Sequence, residues 1–166
     1  MIQEIDSAAN FLANLLRARE CFETTRLEVF SRVLKNLVCE HYQSHWFPEA
    51  PFRGSAYRCL RFNFLTVDPL VTKAGEAAGF SVEQLQSNLP TELTVWIDPA
   101  EVSYRIGEEG SVCVLYDGKT DTLLPEASQT DFLQNCKNSM VSFGQAQDTD
   151  FNFNSGGVPV PVGAGL

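Results

Sequence analysis

The chain's two histidines, His41 and His45, stand four residues apart, with Cys39 and Glu40 just before the first. On a helix this spacing puts both imidazoles on one face, the geometry of a two-histidine metal clamp. The order is Glu-His-x-x-x-His rather than His-Glu-x-x-His, and spacing marks no third ligand. Histidines packed or hydrogen-bonded at a helix end are the simpler reading, and no metal is expected. Cys39 or Cys59 with His41 would make a Cys–His pair, but a small apolar cysteine is more often part of a core. There is no Gly-x-Ser-x-Gly elbow and no glycine-rich phosphate loop. The paired acids Asp98 and Glu101, and Glu108 and Glu109, fall in turns, where acids are ordinarily solvated. Neither an enzyme nor a cofactor is expected.

The elements that must position these residues are readable in part. Ile2, Ile5, Ala8, Leu12 and Leu15/Leu16 recur at helical spacing and predict an amphipathic first helix. Thr25-x-x-Glu28 has the form of a capping box opening a second helix, which should run out before Trp46-Phe47-Pro48. Asp68-Pro69 supplies an N-cap and an N1 proline for a third helix ending near Gly79, and Ser81-x-x-Gln84 caps a short fourth that stops by Pro90. Tyr57–Phe64 and Glu92–Asp98 alternate as strands, and Val102–Ile106 with Ser111–Tyr116 form a hairpin. Helices first and antiparallel strands after predict an α+β domain over residues 1–117. Residues 118–166, rich in Ser, Asn, Gln and Gly, read as a low-complexity, disordered tail.

Alternation also picks out two aromatics. In Glu92–Asp98 one face carries Leu93, Val95 and Ile97, and the other Glu92, Thr94, Trp96 and Asp98. In Tyr57–Phe64 one face carries Arg58, Leu60, Phe62 and Phe64, leaving Tyr57, Cys59, Arg61 and Asn63 opposite. Tyr57 and Trp96 are candidates for an exposed binding surface, since such aromatics dominate interface hot spots. A helix covering that second face would bury both, and alternation alone does not decide. Leu12-Ala13-Asn14-Leu15-Leu16 spells LxxLL, a helix-in-groove docking pattern, yet all three leucines also belong to the core stripe.

Composition narrows the class. The 166 residues carry a net charge of −9 and are 44% apolar. Acidic residues outnumber basic ones fifteen to ten up to Tyr116 and six to two beyond it. Such a chain lacks the positive field that supplies nucleic-acid affinity, so no direct nucleic-acid partner is expected, and Arg53, Arg58 and Arg61 read as satellites of the aromatic surface. Five scattered cysteines without a CxxC pair read as reduced thiols. No signal peptide or membrane-length apolar run is evident, so an intracellular protein with no membrane partner is expected.

Two long segments carry a resemblance. Glu40–Glu49, continuing through Gly54–Arg61, resembles box A of the BTG/Tob anti-proliferative family, and Leu89–Gly110 is similar to its box B nearly residue for residue. The short tail fits the BTG branch better than the Tob branch. The resemblance implies a non-enzymatic α/β module that binds the Caf-type poly(A) deadenylase subunit, promotes deadenylation and mRNA decay, and restrains proliferation in cytoplasm and nucleus. It places the deadenylase-contacting residues on Tyr57, Asp68 and Trp96; beside these, Asp98 and Glu101 are our own candidates for polar rim contacts. The spacer before Asp68 is one residue longer than is usual in the family, and Gln43-Ser44 replaces more basic residues. The tail lacks poly(A)-binding-protein docking motifs, and Cys136-Lys137-Asn138 only faintly echoes the arginine-methyltransferase segment. Neither partner is therefore expected. The competing expectation is a transcriptional co-regulator acting through Leu12–Leu16 and DNA-bound partners.

Overall fold

The computed structural model describes residues 1–19 and 22–118. Helices α1 (Ile2–Arg17) and α2 (Thr24–Tyr42) come first, followed by two 3-10 turns, Gln43–His45 and Ser55–Tyr57. Strand β1 (Cys59–Phe62), helices α3 (Pro69–Ala77) and α4 (Val82–Asn88), and strands β2 (Leu93–Asp98), β3 (Glu101–Ile106) and β4 (Cys113–Asp117) complete the order. The strands form one antiparallel sheet in the order β1-β2-β3-β4, so the α+β expectation holds.

Helix ends follow local chemistry where the chain supplies it. Asp68 caps α3, its carboxylate accepting from the Leu70 N–H at 2.9 Å, with Pro69 in the first turn. The helix closes on Gly79 at φ 76°, where Phe80 N–H bonds the Gly75 carbonyl and Gly79 N–H bonds that of Glu76, a Schellman ending. Ser81 and Gln84 make a reciprocal capping box on α4. The box expected at Thr25 does not form: the N-cap is Glu23, two residues earlier, and it makes no side-chain bond. Thr25 thus lies inside the first turn, where its hydroxyl cannot play the N-cap part.

One sheet face and the helices share the core. Leu93, Val95, Ile97, Leu60, Val102 and Tyr104 are buried from the sheet, and α1 packs against α2 and against β2, β3 and β4. Phe11 meets Tyr104 with ring centres 4.7 Å apart. Leu12, Leu15 and Leu16 are all buried in this layer, so the LxxLL pattern is core packing, and docking through it would require α1 to leave the fold. The other sheet face stays open: Arg61 is exposed, and Thr94, Trp96 and Arg105 are half-buried. The question alternation left undecided is answered in favour of an accessible Trp96.

Strand β1 is shorter than expected, four residues, so Tyr57 lies in a 3-10 turn before it and Phe64 beyond it is exposed. After Phe62 the chain turns at once, with the Asn63 N–H bonded to the Thr66 carbonyl and the Asn63 side-chain oxygen accepting from the N–H groups of Leu65 and Thr66. Alternation could not show this, because an asparagine that caps its own turn breaks the ladder.

Between β2 and β3 the chain reverses through Pro99-Ala100, and Ala100 has φ 67°, the left-handed region. The turn is held from outside: Ala100 N–H bonds the Glu4 carboxylate of α1 at 3.0 Å, and Ala100 accepts from Gly118 N–H at 2.8 Å. Burial pushes the Glu4 carboxyl up, but its bonds to the Met1 amino group and to backbone N–H groups outweigh this and leave it below the ordinary value.

Two outcomes follow. Leu16→Ala should lower unfolding free energy by about 3 kcal/mol in urea titrations, because it leaves a cavity between helix and sheet. An effect below about 1 kcal/mol would place Leu16 outside the core. Ala100→Gly should raise stability by up to about 1 kcal/mol by relieving the positive φ, read as a higher melting temperature.

Candidate functional site

Arg58 organises the region joining α2 to the sheet. It is fully buried, and each of its guanidinium N–H groups has an acceptor. Nε donates to the Ile97 carbonyl at 3.2 Å, Nη1 to the carbonyls of His45 and Arg53 at 2.6 and 2.7 Å, and Nη2 to the Pro51 carbonyl and the Asp98 carboxylate, both at 2.6 Å. The second Asp98 oxygen accepts from Ser55 Oγ at 2.6 Å. The Trp46 ring lies 5.6 Å from the guanidinium carbon. Gly54, at φ 77°, lets the backbone pass: a Cβ there would sit 3.2 Å from Arg58 Nη1. A buried charge needs this complete set of partners, because an unpaired one is strongly destabilising.

This hub corrects the reading of the arginines as surface satellites. Arg58, just before β1, is internal and unavailable to a basic patch; Arg61, within β1, faces solvent. The signal was present in the parity that put Arg58 with Leu60 and Phe62. Asp98 is likewise occupied by Arg58 and Ser55 rather than free on the rim. Glu101, its partner across the β2–β3 turn, is exposed.

The remaining predicted residues gather around Cys59. Trp96 is paired in register with Cys59, and the Arg105 guanidinium carbon lies 5.9 Å from the Trp96 ring centre. Tyr57 precedes Cys59 by two residues and is 41% exposed. Asp68 stands at the start of α3, its carboxylate accepting from the Leu70 N–H at 2.9 Å, with the backbone N–H groups of Arg61 and Val71 near enough to favour its charged form. Burial pushes the Asp68 carboxyl above its ordinary value, against the pull of those N–H groups and of nearby His41. Burial likewise pushes the Cys59 thiol up; Arg61 opposes that shift, and Asp68 and Asp98 add to it. Tyr57, Asp68 and Trp96 thus surround one patch at the start of the sheet's free edge strand.

His41 and His45 both stack on Tyr57. His45 stacks on the tyrosine ring with centres 3.7 Å apart and planes 17° apart, and His41 stacks at 4.7 Å and 15°. Among the described residues no group of three potential metal ligands converges. Nor is any described helix long and apolar enough to cross a membrane. The tail and Cys136-Lys137-Asn138 lie outside the described residues.

A helical layer on one face of a four-stranded antiparallel meander, with the other face open, is the fold of a BTG/Tob domain. The solved FOG-3 BTG/Tob domain of C. elegans superposes with a TM-score of 0.64 at 22% identity, covering 71% of this chain and 91% of that one. The BTG family model matches residues 1–116. The chain is 49% identical to Protein BTG2 of Rattus norvegicus over 141 residues, 85% of each chain. It is 50% identical to human Protein BTG1 over 117 residues, 70% of this chain and 68% of that one. Human Protein Tob2 is 43% identical over 113 residues, 68% of this chain but 32% of its own length. The chain belongs to the BTG family, on the BTG rather than the Tob side. It is accordingly a regulator of proliferation and not an enzyme.

Removing the hub's centre tests its role. Arg58→Ala should cost about 3–5 kcal/mol of stability, since it strands Asp98 and the carbonyls of His45, Pro51, Arg53 and Ile97. A loss under about 1 kcal/mol by denaturant titration would show that the loop holds without it.

Proposed function

We propose that this domain is a docking adaptor for the Caf-type poly(A) deadenylase subunit, acting in cytoplasm and nucleus to promote poly(A) shortening and so restrain proliferation. The observation that carries the reading is Trp96, a large aromatic left half-buried on the open sheet face among Thr94, Arg105 and Cys59. Burying such a ring at an interface centre is a dominant source of affinity. Tyr57, two residues before the Cys59 that pairs with Trp96, adds an exposed aromatic, and Asp68 a carboxylate ordered by the Leu70 N–H. The family resemblance assigns these same three residues to deadenylase contact, and two of them stand out from alternation alone. Glu101 is placed to contribute at the rim, whereas Asp98 contributes by holding Arg58.

Trp96→Ala tests this. In a pull-down or titration with the purified deadenylase subunit it should weaken binding by about 2 kcal/mol or more, roughly thirtyfold, with an unchanged melting curve. Binding that survives intact in the folded variant would remove the proposed surface.

A further inference from the structure

We infer that His41 and His45 are positioning residues that hold Tyr57 in its docking orientation, an inference resting on the proposed role of Tyr57 above. The strand ladder does not order this tyrosine. It closes a three-residue 3-10 turn, precedes β1, and is 41% exposed. A side chain so placed is free to change rotamer, and fixing it only on binding would cost conformational entropy.

The two imidazoles remove that freedom. Both lie within 17° of parallel to the phenol ring, His45 in close face-to-face contact at 3.7 Å and His41 at 4.7 Å. Tyr42, itself buried, backs the group with its ring 6.4 Å from that of Tyr57 and 5.8 Å from that of His41. Each imidazole is anchored in turn. His41 belongs to the last turn of α2. His45 has its carbonyl gripped by Arg58 Nη1 at 2.6 Å and its Nδ1 paired with Ser44 Oγ at 2.9 Å. The buried arginine therefore sets His45, and His45 sets the tyrosine face.

The chemistry suits this role better than ligation. The flat ring faces of the two histidines lie on Tyr57, and among the described residues no third potential ligand joins them. The Tyr57 hydroxyl lies 3.5 Å from His41 Nδ1, at the limit of a hydrogen bond, and so stays able to bond a partner. What the i, i+4 pair shares is a tyrosine, not a cation.

A double-mutant cycle tests the inference, with the full chain and the purified Caf-type deadenylase subunit as probe. His41→Ala/His45→Ala should weaken binding about tenfold, and His41→Phe/His45→Phe, which keeps flat rings, should restore it to within about threefold. In a Tyr57→Leu background the two alanine changes should alter affinity less than about twofold. In the free chain, the Tyr57 ring proton resonances, assigned by their loss in Tyr57→Leu, should move towards unstacked values in the alanine variant. Wild-type affinity in the alanine variant, an undiminished loss in the Tyr57→Leu background, or unmoved ring resonances would each overturn the inference. If Tyr57→Leu itself binds as wild type, Tyr57 is no docking residue and the inference falls with it. Trp96→Ala checks the adaptor reading separately.

Discussion

The buried guanidinium of Arg58 is the constraint on which this domain's functional end depends. Taking a charge out of water is costly, and only a complete set of acceptors offsets it. Here the set is drawn from distant stretches of chain: the 3-10 turn that ends at His45, the loop carrying Pro51 and Arg53, and the end of β2. Satisfying one side chain therefore joins the helical layer to the sheet. A loop with no regular structure of its own acquires a single conformation because its carbonyls are spoken for.

The sheet's two faces divide the labour. One supplies aliphatic residues to the core with α1, and burial there explains why the LxxLL leucines are unavailable for docking. The other keeps Trp96 within reach of a partner, beside arginines and a threonine rather than beneath a helix. Asp68 stands between the two: it caps α3 through the Leu70 N–H, and the Arg61 N–H of β1 adds to the field that favours its charge. Its raised carboxyl reflects that burial, which is accepted because several N–H groups converge on it.

Much of the architecture was legible from local rules. The Asp68-Pro69 start, the Ser81–Gln84 box and the Gly79 ending are short-range devices whose bonds lie within a turn of the residues that make them. The inward face of β2 follows from a period of two. Local rules misplaced what depends on distant partners. The cap of α2 lies two residues before Thr25, Tyr57 stands outside the strand that alternation gives it, and Phe64 is exposed rather than on a buried face. In the last two cases a 3-10 turn and an asparagine-capped turn cut the strand short at both ends.

By itself, the sequence determined the helix caps, the antiparallel strands, the family, and Trp96 and Tyr57 as aromatics off the core face. These rest on periodicity and motif, which are properties of neighbours along the chain. Tertiary structure alone decided that the outer face is open, which acceptors satisfy the buried Arg58, and that the two histidines stack on a tyrosine. The reason is physical. A charge can be buried, or a ring held flat, only by groups that the fold brings together from far apart in sequence.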